Sequence, residues 1–160
     1  MSGLVSGLVG IQTKAAQPAF FVRVSADVAN VTGDNTNYTI IFDTEVFDQN
    51  GDFDGTSTFT APVTGRYQLS FLCGIQSLLS VHTAGFYHLE TSNRAVSQYI
   101  NPYAVFGGGV SSFNESLLVD MDANDTAICK LKIQRTSGSG DTLDLFGGVG
   151  ATLFTGQLVA

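Results

Sequence analysis

Oxygen-bearing side chains occupy every second position of one turn-rich stretch and are the first candidates for chemistry. They are Asp48, Asn50, Asp52 and Asp54. Carboxylate and amide oxygens at this spacing open the calcium-binding loop of an EF-hand. The rest of that loop is missing, because Phe53 stands where the sixth position needs glycine and Phe59 where the twelfth needs glutamate. The sequence therefore excludes an EF-hand.

A second group of oxygen side chains lies in a later turn. It consists of Asp120, Asp122, Asn124 and Asp125. The favoured interpretation of both stretches is a solvated acidic loop. The alternative is a calcium site with an incomplete set of ligands. Its carboxylate ligands would be Asp48, Asp52, Asp54, Asp120 and Asp122. No other metal or cofactor is predicted.

Residues for catalysis are few. The chain has two histidines, His82 and His88, and no G-x-S-x-G motif surrounds Ser137 or Ser139. The glycine-rich stretches 106–110 and 146–150 lack both G-x-G-x-x-G and a Lys-Ser/Thr ending, so they are interpreted as loops between strands. His88 alternates with Phe86, and we expect it to be hydrogen-bonded while facing a core or a subunit interface. The sequence predicts a protein that is not an enzyme.

Two cysteines allow either one disulfide or two free thiols. Cys73 and Cys129 each fall on the apolar side of an alternating segment. Buried free cysteine behaves as a small hydrophobic residue. Two buried thiols are therefore the favoured interpretation.

Composition points to a β protein without a charged binding surface. Of the 160 residues 44% are hydrophobic and only 13% are charged, and the net charge is −7. The seven basic residues are scattered, which argues against nucleic acid or an anionic membrane as partner. No run approaches the roughly 20 apolar residues of a membrane helix. A secretory signal has basic residues ahead of its apolar stretch, whereas the first basic residue here, Lys14, follows the apolar N-terminal residues. A secretory signal is therefore not indicated.

Alternation of apolar and polar residues predicts strands. The clearest are 67–73 and 127–133, where every second residue is apolar. Further strands are predicted at 20–26, 38–42, 56–60, 86–90, 96–105, 112–121 and 152–159, with loops at 30–37 and 43–55. Many short strands between turn clusters are typical of a β-sandwich or jelly roll.

The first seventeen residues form a separate segment, ahead of a domain at 18–160. Ser-Gly-Leu-Val occurs at 2–5 and again at 6–9, which is too rich in glycine for a stable helix and too apolar to prefer water. One interpretation is a frayed terminus. The other is an extended arm that docks on a partner. Its docking side chains would be Leu4, Val5, Leu8, Val9 and Ile11.

A series of short motifs runs through residues 18–160. In order they are Ala19-Phe20, Ile41-Phe42-Asp43, Asn50-Gly51, Phe-Thr-Ala-Pro-Val-Thr-Gly-Arg-Tyr at 59–67, and Leu-Phe-Thr-Gly-Gln-Leu at 153–158. This order resembles the globular domain of the complement C1q and tumour necrosis factor-like family. The middle segment, 75–112, carries no family pattern, and no collagen-like G-X-Y period is present.

The resemblance implies a fold and a mode of action. It implies a ten-stranded antiparallel jelly-roll sandwich that assembles as a homotrimer about a three-fold axis and works by binding. It also places aromatic side chains at the trimer interface, which at the matching positions are Tyr67, Phe71 and Phe154.

These expectations favour a structural protein of a virus particle. We expect a virion surface component of a tailed phage, made in the host cytoplasm, that decorates or cements the capsid or forms a tail-fibre tip. The arm would attach it to capsid or tail proteins, and its exposed surface would meet a host-surface glycan or protein. The alternative is an extracellular, secreted or cell-surface recognition domain that binds glycan or protein ligands.

Overall fold

Twelve strands and one short helix make up the regular structure of residues 17–136 and 142–160, which are the residues that this computed structural model describes. In chain order the strands are β1 (Ala19–Arg23), β2 (Val28–Thr32), β3 (Tyr38–Thr39), β4 (Thr44–Asp48), β5 (Phe59–Thr60), β6 (Gly65–Leu78), β7 (His82–Thr91), β8 (Ala95–Ile100), β9 (Gly109–Met121), β10 (Thr126–Arg135), β11 (Leu143–Leu145) and β12 (Leu153–Leu158). The helix, α1 (Pro102–Phe106), lies between β8 and β9. No helix within the described ranges is both long enough and apolar enough to cross a membrane.

The strands form two antiparallel sheets. In the seven-stranded sheet β4, β1, β12, β6 and β9 lie side by side, and β11 and β2 continue the sheet beside the second half of β6. In the five-stranded sheet β8, β7 and β10 are neighbours, and both β3 and β5 pair with β10. The strand β6 in one sheet and the strand β10 in the other each pair with three strands.

The core lies between the sheets because each long strand turns every second side chain inward. Tyr67, Leu69 and Phe71 of β6 and Cys129 and Leu131 of β10 are at most 1% exposed. Fully burying one large apolar side chain contributes about 1.5–3 kcal/mol to folding. The alternation predicted for residues 67–73 and 127–133 is thus confirmed.

Phenylalanine rings fill one end of this core. Phe20 stacks on Phe59 with ring centroids 4.6 Å apart and meets Phe154 edge-on at 4.9 Å. Phe42 lies 5.8 Å from Phe154. Since these rings come from β1, β5, β12 and the segment after β3, the cluster fastens elements that are distant in sequence.

The predicted jelly-roll sandwich is confirmed, with twelve strands in the described residues where the resemblance implies ten. β11 and β12 pair with the same side of β6, at residues 75–76 and 67–72. The segment between them approaches the backbone after β1 so closely that a Cβ at Gly147 would lie 2.0 Å from the Ala26 carbonyl oxygen. One position beside β6 is thus occupied by two short strands, β11 and β12.

Several segments differ from the sequence prediction. β2 extends to Thr32, into the loop expected at 30–37, and β11 was not predicted. β4 lies inside residues 43–55, which were expected to be a loop, and it pairs with β1. The strand predicted at 96–105 ends at Ile100, because Asn101 caps a helix that has Pro102 in its first turn. The Asn101 side chain accepts a hydrogen bond from the Ala104 N–H at 3.1 Å. Gly107, with φ +74°, ends the helix.

Both cysteines are free and buried, as predicted. Burial raises the pKa of the Cys73 thiol and of the Cys129 thiol. Neither is a reactive thiolate at neutral pH.

Gly156 is a sensitive position in the fold. A Cβ there would lie 2.3 Å from Phe20 Cε1 and 2.6 Å from Leu69 Cδ2. We predict that Gly156→Ala lowers the free energy of unfolding by about 1–3 kcal/mol, because the core must shift to admit the methyl group. Urea unfolding measures the change, with Gln49→Ala, at an exposed side chain just after β4, as control. Equal losses in both variants would contradict the packing argument.

Candidate interaction surfaces

The outward face of the seven-stranded sheet is one candidate interaction surface, and strand register defines it. Phe47 pairs with Phe21, Phe21 with Thr155, Thr155 with Ser70, and Ser70 with Ser116, so these side chains form one row across five strands. The rings of Phe21 and Phe47 meet edge-on with centroids 6.2 Å apart. A depression of about 250 Å³ lies over Ser70 and Thr155 beside Phe47.

The polar groups in the middle of this face are satisfied within the chain. Ser70 Oγ lies 2.7 Å from Ser116 Oγ, and the Gln68 amide donates to Ser116 Oγ at 2.8 Å. Among the described residues, this row and the adjoining row of Ala19, Gln157, Gln68 and Leu118 contain no charged side chain. These two rows can therefore be covered without burying a charge or leaving the hydroxyls of Ser70 and Ser116 unpaired.

The three aromatics predicted at a trimer interface lie elsewhere. Tyr67, Phe71 and Phe154 are 0%, 1% and 0% exposed in the single chain. Their side chains point into the chain's own sandwich, and Phe154 contacts Phe20 and Phe42 there. This corrects the expectation that their rings themselves meet a neighbouring subunit. A subunit on this sheet would contact the alternate residues, such as Gln68, Ser70 and Thr155.

The outward face of the five-stranded sheet carries an aromatic platform, which we define as Phe86, Tyr99, Lys132 and Gln134. Register places Lys132, Phe86 and Tyr99 in one row across β10, β7 and β8. The Phe86 centroid lies 5.8 Å from that of Tyr99 and 5.7 Å from Lys132 Nζ. Tyr99 is 80% exposed. This platform was not predicted from the sequence, because its residues come from three different strands.

His88 supports the platform from beside it. Its ring stacks on Phe86 with centroids 5.1 Å apart, and its Nδ1 lies 3.2 Å from Ser97 Oγ. The expected hydrogen bond is confirmed, but the ring is on the outward face of the five-stranded sheet and not in the core. The alternative that His88 faces a subunit interface stays a prediction. Burial lowers its pKa against the opposing effect of Glu90, so the ring is neutral at pH 7. His82 is buried at the start of β7, where its Nδ1 accepts the Leu79 N–H at 3.0 Å.

The first acidic stretch organises its own turns. Asp48 accepts the N–H groups of Gly51 at 3.1 Å and Phe53 at 2.7 Å. Asp54 Oδ1 accepts the N–H groups of Thr56, Ser57 and Thr58 at 2.8 to 3.0 Å. These are the contacts of Asx turns. The carboxylates therefore have a structural use that requires no metal.

The remaining predicted calcium ligands are dispersed. Asp120 forms an ion pair with Arg94 at 2.5 Å, and Asp122 accepts from the Thr64 hydroxyl at 3.3 Å. Burial raises the pKa of Asp52. Within residues 17–136 and 142–160 no group of three or more His, Cys, Asp or Glu is placed to hold a metal ion. Calcium binding stays a prediction.

The predicted arm, with Leu4, Val5, Leu8, Val9 and Ile11, lies outside the described residues. The described chain starts at Gln17, whose side-chain amide donates to the Leu158 carbonyl. Pro18 accepts the Leu158 N–H at 2.9 Å. The chain from residue 17 onward is thus held against the end of β12.

Asp54 makes stability depend on pH. Partial burial raises its pKa, but the Thr58, Thr56 and Ser57 N–H groups outweigh this and lower it to about 2 from 3.8. A depressed pKa stabilises the fold above pH 3.8, and this contribution disappears as the pH falls through about 2. We predict that Asp54→Ala lowers the melting temperature at pH 5–7 and that the difference shrinks toward pH 2.

Calorimetry across that pH range checks this prediction, and Glu45→Ala, at an exposed carboxylate of β4, is the control. A difference between wild type and Asp54→Ala that is independent of pH would show that the hydrogen bonds do not depend on the carboxylate charge.

Comparison with known structures identifies the fold. The globular domain of zebrafish complement 1qA protein is 17% identical with a TM-score of 0.57, and the match covers 90% of this chain and 98% of that one. Murine APRIL is 9% identical with a TM-score of 0.59, and the match covers 89% and 99%. No protein-family model matches the sequence, and no curated protein matches it significantly. The resemblance found in the motifs is confirmed for the fold: the chain has the C1q/TNF-like jelly-roll fold.

Proposed function

We propose that this protein is a non-enzymatic homotrimer that works by binding. The observation that carries this proposal is the difference between the two outward faces. The seven-stranded sheet presents the two uncharged rows that pass through Ser70 and Gln68, whereas the five-stranded sheet presents Lys130, Lys132 and Glu90. Charged residues are depleted at the core of protein interfaces. The seven-stranded sheet is therefore the face that a second copy covers.

The geometry of that face suits a heterologous contact. Its charged side chains lie near strand ends, with Arg23 last in β1, Arg66 second in β6 and Asp120 next to last in β9. A ring of three copies closes when the surface of one packs on a different surface of the next. The C1q/TNF-like resemblance implies such a trimer. An obligate interface of this kind buries more than about 2,000 Å².

We place the trimer on the virion of a tailed phage, as a capsid decoration or tail-fibre tip. The support is the apolar, glycine-rich sequence of residues 2–11, which suits an attachment arm to capsid or tail proteins. Residue 17 is fixed beside β12, so such an arm leaves the jelly roll at a defined point.

The second candidate is an extracellular recognition domain. The aromatic platform favours it, since an exposed tyrosine on a rigid sheet is suited to ligand contact. If the protein is a recognition domain, the aromatic platform, and not the arm, binds the partner. The two candidates share the trimer and differ in the element that meets the partner.

Introducing a charge into the uncharged face tests the trimer. Ser70→Glu should convert the trimer to monomers, because assembly would bury three unpaired carboxylates. Gln134→Glu, the matched control on the other sheet, should stay trimeric. Sedimentation equilibrium gives the mass of each variant. A wild-type chain that is a folded monomer at micromolar concentration would refute the trimer, and a trimeric Ser70→Glu would move the interface elsewhere.

Deleting residues 2–16 tests the arm. The melting temperature and trimer mass should stay unchanged, because the described contacts begin at Gln17. Attachment to phage particles should be lost, as measured by co-sedimentation of the purified protein with particles that lack it. A control with Leu4, Val5, Leu8 and Val9 all changed to Ser keeps the length and should also fail to attach. Attachment of the truncated chain equal to wild type would contradict the docking arm.

A further inference from the structure

The aromatic platform forms a small open site. A depression of about 300 Å³ is lined by Ala84, Gly85, Phe86, Tyr99, Ile100 and Gln134. The rings of Phe86 and Tyr99 are inclined at 64° and make two walls of a corner. Gln134 supplies an exposed amide beside them. The volume is at the lower end of the range for small-molecule sites, about 300–1,000 Å³.

The platform rests on a rigid base. Phe86 is held by the stacked His88 ring, which is itself positioned by Ser97 on the neighbouring strand. β7 pairs with β10 on one side and β8 on the other, so the backbone under Phe86 is hydrogen-bonded on both sides. A preformed site loses little conformational entropy when a ligand binds.

One cation at the platform is available to an anion. Lys130 forms an ion pair with Glu90 at 2.6 Å. Lys132 has no such carboxylate partner among residues 17–136 and 142–160, and its Nζ lies over the Phe86 ring. The chain carries a net charge of −7, so this lysine over the Phe86 ring is a local positive charge.

We propose that the aromatic platform binds an acidic saccharide, a sugar that carries a carboxylate. One face of a sugar ring presents C–H groups, and the electron-rich face of an aromatic ring attracts them. Tyr99 binds that face, Phe86 supports both Tyr99 and Lys132 from between them, Gln134 meets ring hydroxyls, and Lys132 pairs with the carboxylate. Both Tyr99 and Lys132 lie within 6 Å of the Phe86 centroid, so one or two sugar units reach all of them.

The shape of the site favours a saccharide over a polypeptide. A protein hot spot is a desolvated pocket that encloses an apolar side chain, whereas Tyr99 is 80% exposed and the depression is open. An open aromatic wall suits a ligand that keeps some hydroxyls in water. The proposal rests on the proposed function only in that the protein works by binding, and each chain carries the complete platform.

Ligand-observed NMR with the full chain tests the proposal, with sialyllactose as acidic probe, lactose as neutral probe and a glutamate peptide as polypeptide probe. Sialyllactose should bind more tightly than lactose, and its affinity should fall with added salt. Tyr99→Ala should abolish binding of both sugars. Lys132→Gln should weaken sialyllactose about tenfold and leave lactose unchanged.

Conservative variants provide matched controls. Tyr99→Phe keeps the ring and Lys132→Arg keeps the charge, so both should retain binding of sialyllactose. Absence of sialyllactose binding, or binding unaffected by Tyr99→Ala in a folded chain, would overturn the proposal. A glutamate peptide that binds as tightly as sialyllactose through the same residues would assign the platform to a polypeptide instead. These measurements report ligand binding and not oligomeric state. Refutation of the trimer and refutation of the saccharide site are therefore distinguishable.

Discussion

Pairing along β6 is the constraint on which the rest of the molecule depends. This strand spans fourteen residues, from Gly65 to Leu78, and pairs with β9 on one side and with β12 and β11 on the other. Its inward side chains form the middle of the core, and its outward side chains form the middle of the uncharged face. Because successive side chains of a strand point to opposite faces, a shift of one residue would exchange the two sets. The same register therefore determines core packing and the surface available for assembly.

Several devices hold that register. The Phe20 cluster binds β1 and β12 to the opposite sheet, and Gly156 leaves room for the Phe20 ring where β12 lies between β1 and β6. At the end of β6 where the chain enters, the Tyr67 hydroxyl donates to the Val63 carbonyl at 2.7 Å, which closes the turn before the strand. Each of these contacts fixes the position of a whole strand.

Much of the fold could be predicted from the sequence, because a strand with one buried face shows strict alternation. β6 and β10 show it, and both were predicted. β4 was missed since its side chains are mostly exposed and carry no alternation. Asn101-Pro102 and Gly107 are recognisable start and end signals of a helix. The strand prediction for 96–105 gave more weight to the β-branched and aromatic residues around them. The faces of Tyr67 and Phe71 were correctly assigned to one side of β6, but alternation alone does not tell whether that side meets the chain's own sheet or another subunit.

The candidate surfaces could be predicted only in part, because they depend on neighbours across strands. Phe86 and Tyr99 are thirteen positions apart in the sequence, and Lys132 is farther still. They meet because β7 pairs with both β8 and β10 in one particular register. The acidic residues were recognised in the sequence because they are close together in it. Their role in Asx turns was not predicted, since the same spacing occurs in metal sites and in turns.

The two buried thiols allow the opening of the sandwich to be measured by thiol labelling. Cys73 lies in the seven-stranded sheet and Cys129 in the five-stranded one, and both are shielded from solvent by the sandwich. A thiol reagent can reach them only when the sheets separate or the chain unfolds, so labelling follows the rate of that event.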